Sequence, residues 1–266
     1  RVSLKATVPF VRLWNAEHPY LYTVLFTLRN EAGESFEFTS VKTGFRKIEI
    51  KGNVVYFNGK RLLLKGTNRH EFSCFTGRTI SREIMISDIK AMKANNINAV
   101  RTSHYPNAQD FYDLCDEKGM VVWAEIPYIS KHMPSGRENT ITQMKELIAQ
   151  NYNHASIFFW GLSNEISIAG SDESLVNNHK MLNDLCHKMD KTRLTTIAAV
   201  TMCSIDDEYV HISDIVSYNH YFGWYGGKTD MNGFVGMNAF INDGDDICRA
   251  VNYIREYHQC MMKFLT

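Results

Sequence analysis

Between residues 62 and 217 the chain repeats one rhythm, in which a short apolar run is followed by a polar turn and an amphipathic segment. Strands that are apolar on both faces and alternate with helices form a parallel sheet that is covered on both sides. We therefore predict an α/β fold built on such a sheet. The six runs are Leu62–Leu64, Ile97–Val100, Met120–Ala124, Ser156–Trp160, Leu194–Val200 and Ile212–Ser217.

Three of the intervening segments carry helix signals. Ser81 is placed to cap a helix, with Glu83 in its positive first turn. Thr140 and Gln143 have the spacing of a capping box, and a third helix is predicted to open at Ser171–Glu173. The predicted buried stripes are Met85, Ile89 and Met92, then Met144, Leu147 and Ile148, then Leu175, Leu182, Leu185 and Met189.

Polar and aromatic residues gather where the apolar runs end. In a (β/α) barrel these positions surround the C-terminal mouth, which is where catalytic groups lie. The clustering therefore predicts an enzyme. The groups are Asn68–Glu71, Arg101–Tyr105, Glu125, Asn164–Glu165 and Asn219–Tyr221.

The first 43 residues follow a different pattern. Tyr20–Leu28 and Ser35–Val41 read as strands joined by a turn at Gly33. Because two or three strands are not stable alone, residues 1–43 are expected to be the last part of a β-sandwich. A second hairpin is predicted at Val54–Phe57, where Asn58-Gly59 forms the turn before Arg61.

Composition excludes several classes of function. The 29 basic and 29 acidic residues cancel, so the whole chain has no electrostatic footprint for nucleic acid or for an anionic membrane. No apolar run approaches the roughly 18 residues that a membrane span needs. The six cysteines include no CxxC pair, and we expect most of them to be buried thiols rather than metal ligands.

Glu165 is the candidate catalytic acid. It follows the strand Ser156–Trp160, which offers almost no polar surface, so its carboxyl is expected to lie against apolar neighbours that favour the neutral acid. The Asn164 amide can bind a substrate hydroxyl, and Trp160 and Trp224 offer flat faces of the kind that pack on sugar rings. An Asn-Glu pair alone is a weak signal, and it gains weight here from its position after a buried strand.

Five collinear motifs carry a resemblance to a known family. The chain resembles the glycoside hydrolases of family 2, most of all the β-galactosidases, over roughly residues 10 to 230. The resemblance implies part of an immunoglobulin-like sandwich at 1–43 and an incomplete (β/α)8 barrel at 44–232. The motifs are Thr43–Glu49, Phe57–Lys60, Lys65–Glu71, Val100–Pro106 and Trp160–Glu165.

The resemblance also assigns roles to single residues. It makes Glu165 the general acid/base and Asn164 the residue that binds the sugar 2-hydroxyl. It makes Arg101 the arginine that orients and ionises the nucleophile. Its remaining sugar-pocket positions are His70 and His104, with Tyr221 as a contact of the nucleophile. Trp224 is expected to form a wall of the pocket because of its flat apolar ring, not because of the resemblance. Arg69 and Glu71 could contact the sugar or form a buried ion pair beside it.

Part of the family pattern is not found. The attacking glutamate of the family ends the seventh strand in a Glu-Tyr-Gly-like context, which does not occur here, and about six strands are present where closure needs eight. Residues 233–266 read as a divergent tail with a helix from Asp245 to Leu265, and Glu256 within it is a poor nucleophile candidate. We therefore expect an inactive fragment.

Two expectations concern cofactors and partners. Some relatives hold magnesium through a Glu-x-His after the third strand, whereas Trp123–Lys131 has neither residue in place, so we expect no metal and no other cofactor. The predicted partner is a β-galactoside or a related carbohydrate, with no nucleic acid and no membrane. A homo-oligomer of a longer parent and the compartment are left open.

Three functions fit this sequence. The first is a retaining β-galactosidase. The second is a β-glucuronidase or β-mannosidase of the same family, where glucuronate would need extra cationic groups. The third is a sugar-binding module without catalysis.

Overall fold

The computed structural model describes residues 3–168 and 170–219. The predicted tail at 233–266, Tyr221 and Trp224 lie outside the described residues. No helix within the described ranges has the length and apolar character needed to cross a membrane.

An antiparallel hairpin occupies the N-terminal part of the chain, as predicted. Strands β1 (Tyr22–Arg29) and β2 (Ser35–Thr43) pair with Tyr22 opposite Thr43. Gly33, with φ of 84°, occupies the turn between them, a conformation that glycine adopts without steric cost.

A small antiparallel sheet connects this hairpin to the main sheet. It contains β3 (Ile48–Lys51), β4 (Val54–Phe57) and β5 (Lys60–Arg61). Asn58 and Gly59 both have positive φ, 50° and 80°, as a two-residue type I′ turn requires. The predicted Asn-Gly hairpin is therefore confirmed.

Within residues 3–168 and 170–219, six parallel strands form the main sheet, and their order in space follows their order in the chain. This is the arrangement of strands in a (β/α) barrel. The strands are β6 (Gly66–Arg69), β7 (Ala99–Thr102), β8 (Val121–Glu125), β9 (Ile157–Asn164), β10 (Leu194–Val200) and β11 (Ile215–Asn219).

The assignment of Leu62–Leu64 as the first strand of this sheet was wrong. The strand begins four residues later at Gly66, which pairs with Ala99. Leu62 and Leu64 instead pack against the core at the base of the barrel, while Leu63 is exposed. Burial of alternate leucines, rather than membership of the sheet, explains this apolar run.

Four helices cover the outer face of the sheet: α1 (Arg82–Ala94), α2 (Gln109–Lys118), α3 (Arg137–Asn151) and α4 (Glu173–Met189). Ser81 caps α1 as predicted, by accepting a hydrogen bond from the Ile84 amide. Asp172 caps α4, within the predicted opening.

The predicted capping box at Thr140 and Gln143 was wrong. Helix α3 begins at Arg137, so Thr140 already lies in its first turn. The Thr140 hydroxyl donates to the Arg137 carbonyl oxygen at 2.7 Å instead of capping an amide. A threonine inside a helix can make this bond to its own backbone, so the spacing alone does not locate the helix start.

Trp14 closes the lower end of the barrel, at the beginnings of its strands. It is fully buried, its indole nitrogen donates to the Asp116 carbonyl oxygen at 2.8 Å, and its ring meets Phe57 and Phe158. A side chain at Gly44 would lie 2.9 Å from the Trp14 Cβ, so this approach requires glycine. With this end filled, the opposite end is left for a ligand.

The cysteines behave in part as expected. Cys115 and Cys186 are buried, and burial raises the pKa of each thiol. Cys203 is half-buried and Cys74 is exposed, which the sequence did not indicate. Cys248 and Cys260 lie outside the described residues.

Candidate active site

Five predicted site residues lie together at the C-terminal ends of the parallel strands. Arg101 belongs to β7 and Asn164 to β9, while His70, His104 and Glu165 follow β6, β7 and β9. Since parallel strands end at one edge of a sheet, residues far apart in the chain meet here.

Arg101 is the centre of the site. Its guanidinium donates two hydrogen bonds to the carboxylate of Glu125, from Nε at 2.8 Å and from Nη2 at 3.1 Å. Both side chains are only 1% exposed, and the guanidinium lies 4.3 Å above the Trp123 ring. Two parallel charge-assisted bonds and a stacked ring fix the orientation of the arginine.

His104 contacts the same carboxylate. Its Nδ1 lies 2.6 Å from Glu125 Oε1 and 3.2 Å from Arg101 Nη2. An ionised carboxylate can only accept a hydrogen bond, so the shorter contact, to Glu125, favours a proton on Nδ1. The His104 ring meets His70 edge to face, with ring centroids 5.4 Å apart. The hydroxyl of Tyr105 lies 3.4 Å from His70 Nδ1.

Backbone bonds on both sides hold the Asn164–Glu165 pair. The backbone N–H of Asn164 donates to the backbone carbonyl oxygen of Tyr128 at 2.9 Å. The backbone carbonyl oxygen of Asn164 accepts from the backbone N–H of Ser130, also at 2.9 Å. The Glu165 amide donates to the carbonyl oxygen of Ala198 at 2.8 Å. Glu165 is partly buried and has φ of 50°, a left-handed conformation that costs a non-glycine residue about 1–3 kcal/mol.

The Glu165 carboxyl has a polar partner, where the sequence predicted apolar surroundings. Its Oε1 accepts a hydrogen bond from the side-chain nitrogen Nδ2 of Asn219 at 2.9 Å. Asn219 ends β11 and was named only within the polar group at 219–221. Its position after the last apolar run is the signal that could have placed it in the site.

A buried hydroxyl–histidine chain lies behind Glu165, on the helix side of the sheet. Ser163 Oγ lies 2.7 Å from His179 Nε2 and 3.0 Å from the Tyr209 hydroxyl. His179 Nδ1 lies 2.8 Å from the Leu175 carbonyl oxygen and so donates to it, which leaves Nε2 to accept from Ser163. Burial lowers the pKa of His179 to about 4.

Arg69 and Glu71 form the buried ion pair that was one of two predictions for them, at 3.6 Å. Arg69 also donates to Asp88 at 2.9 Å and to Asn107 at 2.8 Å, and its guanidinium lies 4.0 Å above the Phe111 ring. These contacts tie β6 to α1 and α2.

One cluster of potential metal ligands occurs among the described residues, Asp113, Asp116 and His154. Asp116 uses one carboxylate oxygen to accept from the Ser156 amide and the other to contact His154 at 2.7 Å. The cluster joins α2 to the chain that follows α3, so it does not include Glu165. The expectation that the chain needs no metal stays a prediction.

The cavity enclosed by the sheet is too small for a sugar. Its volume is about 20 Å³, and its lining includes Arg101, Trp123, Phe159 and Thr196. Ligand pockets usually have roughly 300–1,000 Å³. A ligand of that size would therefore have to lie outside this cavity.

Comparison with protein families identifies the two parts of the chain. Residues 48–262 match the family described as "Glycosyl hydrolases family 2, TIM barrel domain", and residues 2–46 match "Glycosyl hydrolases family 2". The barrel match extends past residue 232, where the resemblance of the motifs ends. The fold is therefore an incomplete (β/α)8 barrel preceded by part of a sandwich domain.

Known proteins agree on the family and differ in activity. A "Beta-galactosidase" of Priestia megaterium is 40% identical over 73% of this chain, and a "Putative beta-glucuronidase" of Formosa agariphila is 36% identical over 82%. The chain spans 20% and 27% of these two proteins.

A solved structure gives the same result. The FMN-binding beta-glucuronidase of Facaelibacterium prausnitzii L2-6 superimposes with a TM-score of 0.83 at 41% identity. The match covers 92% of this chain and 38% of that one. The chain therefore belongs to glycosyl hydrolase family 2.

Proposed function

We propose that this chain carries the acid/base half of a retaining β-glycoside hydrolase that removes terminal β-galactose. The observation that supports this most is the position of the Glu165 carboxyl at the barrel mouth. It is held there by Asn219, beside an arginine that is locked by Glu125.

Retention needs a second carboxylate about 5 to 5.5 Å from the first. In the first step that carboxylate attacks the anomeric carbon, the glycosidic C–O bond breaks, and Glu165 gives its proton to the departing oxygen. In the second step Glu165 takes a proton from water, which attacks the same carbon and releases the sugar from the carboxylate.

Glu125 is a poor candidate for the attacking group. Its two oxygens accept from Arg101 and His104, and its side chain is 1% exposed. These contacts use three of the four lone pairs of the buried carboxylate, so Glu125 is poorly placed to attack a sugar carbon. The nucleophile therefore stays unidentified, and we expect the 266-residue chain alone to lack hydrolytic activity.

The remaining roles follow the resemblance. Arg101 is proposed to orient the nucleophile, Asn164 to bind the 2-hydroxyl, and His70 and His104 to line the sugar pocket. Tyr221 is proposed to contact the nucleophile. Trp224, whose role rests on its flat apolar ring, is proposed to pack on the sugar ring.

The choice between galactose and glucuronate depends on charge. A glucuronate carboxylate would need an unpaired cation. The two buried arginines near the mouth are both neutralised, Arg101 by Glu125 and Arg69 by Asp88 and Glu71. Among the described residues this favours a neutral sugar, while β-glucuronidase and β-mannosidase remain the alternatives.

The test uses nitrophenyl β-galactoside, β-glucuronide and β-mannoside. The purified 266-residue chain is expected to hydrolyse none of them, while a longer polypeptide that contains it is expected to prefer the galactoside. If the 266-residue chain hydrolyses one of these substrates and Glu165→Gln abolishes that hydrolysis, the expectation of an inactive fragment is refuted. Preference of the longer polypeptide for the glucuronide would refute the galactosidase.

Saccharide binding without hydrolysis in that longer polypeptide would favour the third candidate, a non-catalytic sugar-binding module. Calorimetric titration with galactose and with glucuronate measures such binding directly.

A further inference from the structure

The side chain of Asn219 touches three other residues of the site. Its Nδ2 lies 2.9 Å from Glu165 Oε1 and 2.9 Å from Asn164 Oδ1, and its Oδ1 lies 3.3 Å from Arg101 Nη1. The residue is 9% exposed and ends β11, the last strand of the part of the chain that the structure describes. It therefore connects the two residues after β9 with the arginine of β7.

Hydrogen-bond polarity fixes the direction of these contacts. Arg101 can only donate, so the Asn164 atom that lies 2.8 Å from its Nη2 must be the amide oxygen. The Asn219 atom that faces this oxygen must then be the nitrogen. Its second hydrogen is directed to Glu165, and its oxygen is directed back to Arg101.

This direction has two consequences for Asn164 and Glu165. The Asn164 oxygen accepts from both Arg101 and Asn219, so its two lone pairs are used and only its N–H groups can serve a substrate. The Glu165 carboxyl receives a donor on one oxygen, which restricts its rotation.

We propose that Asn219 is a positioning residue of this site, which fixes the Glu165 carboxyl and the Asn164 amide through two donated hydrogen bonds. The inference rests on the proposed function only where it names Glu165 as the acid/base. Asn219 itself need not touch the sugar.

The experiment follows the Glu165 carboxyl directly. The full 266-residue chain is labelled with ¹³C at the glutamate carboxyl carbon, and Glu165→Gln assigns the signal. In Asn219→Ala the Glu165 signal is expected to titrate at a higher pH than in the unchanged chain. The acid dissociation constant of the carboxyl should fall about three- to tenfold, because a donor to the ionised form is lost. Arg101, Glu125 and His104, the other ionisable groups of the network, are unchanged.

Asn219→Asp keeps the side-chain shape and the acceptor for Arg101, so it provides a folded variant if the alanine variant unfolds. It replaces the donor with an anion beside Glu165, and the expected change is larger and in the same direction. Ser217→Ala is the matched control, since Ser217 lies on the same strand and contacts Thr196 rather than Glu165. It is expected to leave the titration where it was.

A titration unchanged in both Asn219 variants would overturn the proposal, as would an equal change in Ser217→Ala. The readout does not require catalysis. If the chain does not hydrolyse glycosides, the role of Asn219 is unaffected. If the Asn219 variants do not change the titration of Glu165, the proposed function is unaffected.

Discussion

At the scale of single residues, Glu165 is restrained in both its backbone and its side chain. Its amide donates to Ala198, its φ is positive, and its carboxyl accepts from Asn219. A left-handed glutamate is maintained only where its surroundings determine it. These restraints fix the position of the carboxyl, and under the proposed function they would lower the entropy cost of the chemical step.

The sequence predicted some of these residues and missed others, for a physical reason. Arg101, Asn164 and Glu165 stand in motifs at strand ends, so local sequence places them at the mouth. The partners of those residues could not be predicted in the same way. Glu125 and Asn219 lie 24 and 118 residues from Arg101 in the chain, so Arg101 meets them only when the parallel sheet has formed.

His179 leads to a prediction for stability. Its pKa is lowered to about 4 by burial, below the ordinary value of 6.5. As pH falls from about 6.5 towards 4, His179 binds a proton in the unfolded chain but not in the folded chain. The free energy of unfolding therefore decreases. The loss is expected to approach about 3 kcal/mol, measured as the free energy of urea unfolding at several pH values.

Two histidine variants separate this effect from the rest of the acid response. His179→Gln removes the titrating ring and should flatten the dependence between pH 6.5 and 4. His18→Gln removes an exposed histidine and should leave the dependence unchanged. Equal pH dependence in both variants would show that His179 is not its source.

At the scale of secondary-structure elements, a glycine in strand β9 makes room for the residues that hold Arg101. Gly161 of β9 pairs with Glu125 of β8. A side chain there would lie 2.5 Å from the Glu125 Cβ and would also meet the Trp123 indole. These are the two residues that bind and stack on Arg101, so the missing side chain at Gly161 gives them room.

Gly161→Ala is therefore expected to destabilise the chain by about 1–3 kcal/mol, the usual cost of an added methyl group in a packed interior. Gly136→Ala is the matched control, because the nearest atom to a Cβ there is 3.9 Å away. That variant is expected to change stability by less than about 0.5 kcal/mol. Urea unfolding of both variants measures the difference, and equal effects would contradict the packing argument.

Helix starts show where sequence patterns are ambiguous. Ser81 and the opening of α4 could be predicted because a capping side chain precedes a regular apolar stripe. Helix α2 was not predicted, because its buried residues Phe111, Tyr112, Leu114 and Cys115 include consecutive positions and do not form a narrow stripe. Its N-cap residue, Ala108, also has no capping side chain.

At the scale of the whole molecule, the two ends of the barrel differ in composition. Trp14, Phe57 and Phe158 fill the lower end. The other end holds polar residues from five of the six strands or the turns that follow them, which agrees with the position of catalytic groups in barrels. The order of the strands could be predicted from the sequence, because each apolar run precedes one crossover.

The relatives do not single out one sugar. Relatives of similar identity are a β-galactosidase and a putative β-glucuronidase, and they share the same barrel family. Related enzymes that differ in their sugar can share an acid/base site, since the proton is given to the leaving oxygen and not to the groups that distinguish the sugars.

The most direct test of the account compares leaving groups. In a longer, active polypeptide that contains this chain, kcat/KM of Glu165→Gln is measured for aryl and alkyl β-galactosides whose leaving groups differ in basicity. If Glu165 donates the proton, the loss should be small for a dinitrophenyl leaving group and should rise steeply for alkyl leaving groups, which cannot depart without protonation. An equal loss across the series would contradict the assignment of Glu165 as the general acid.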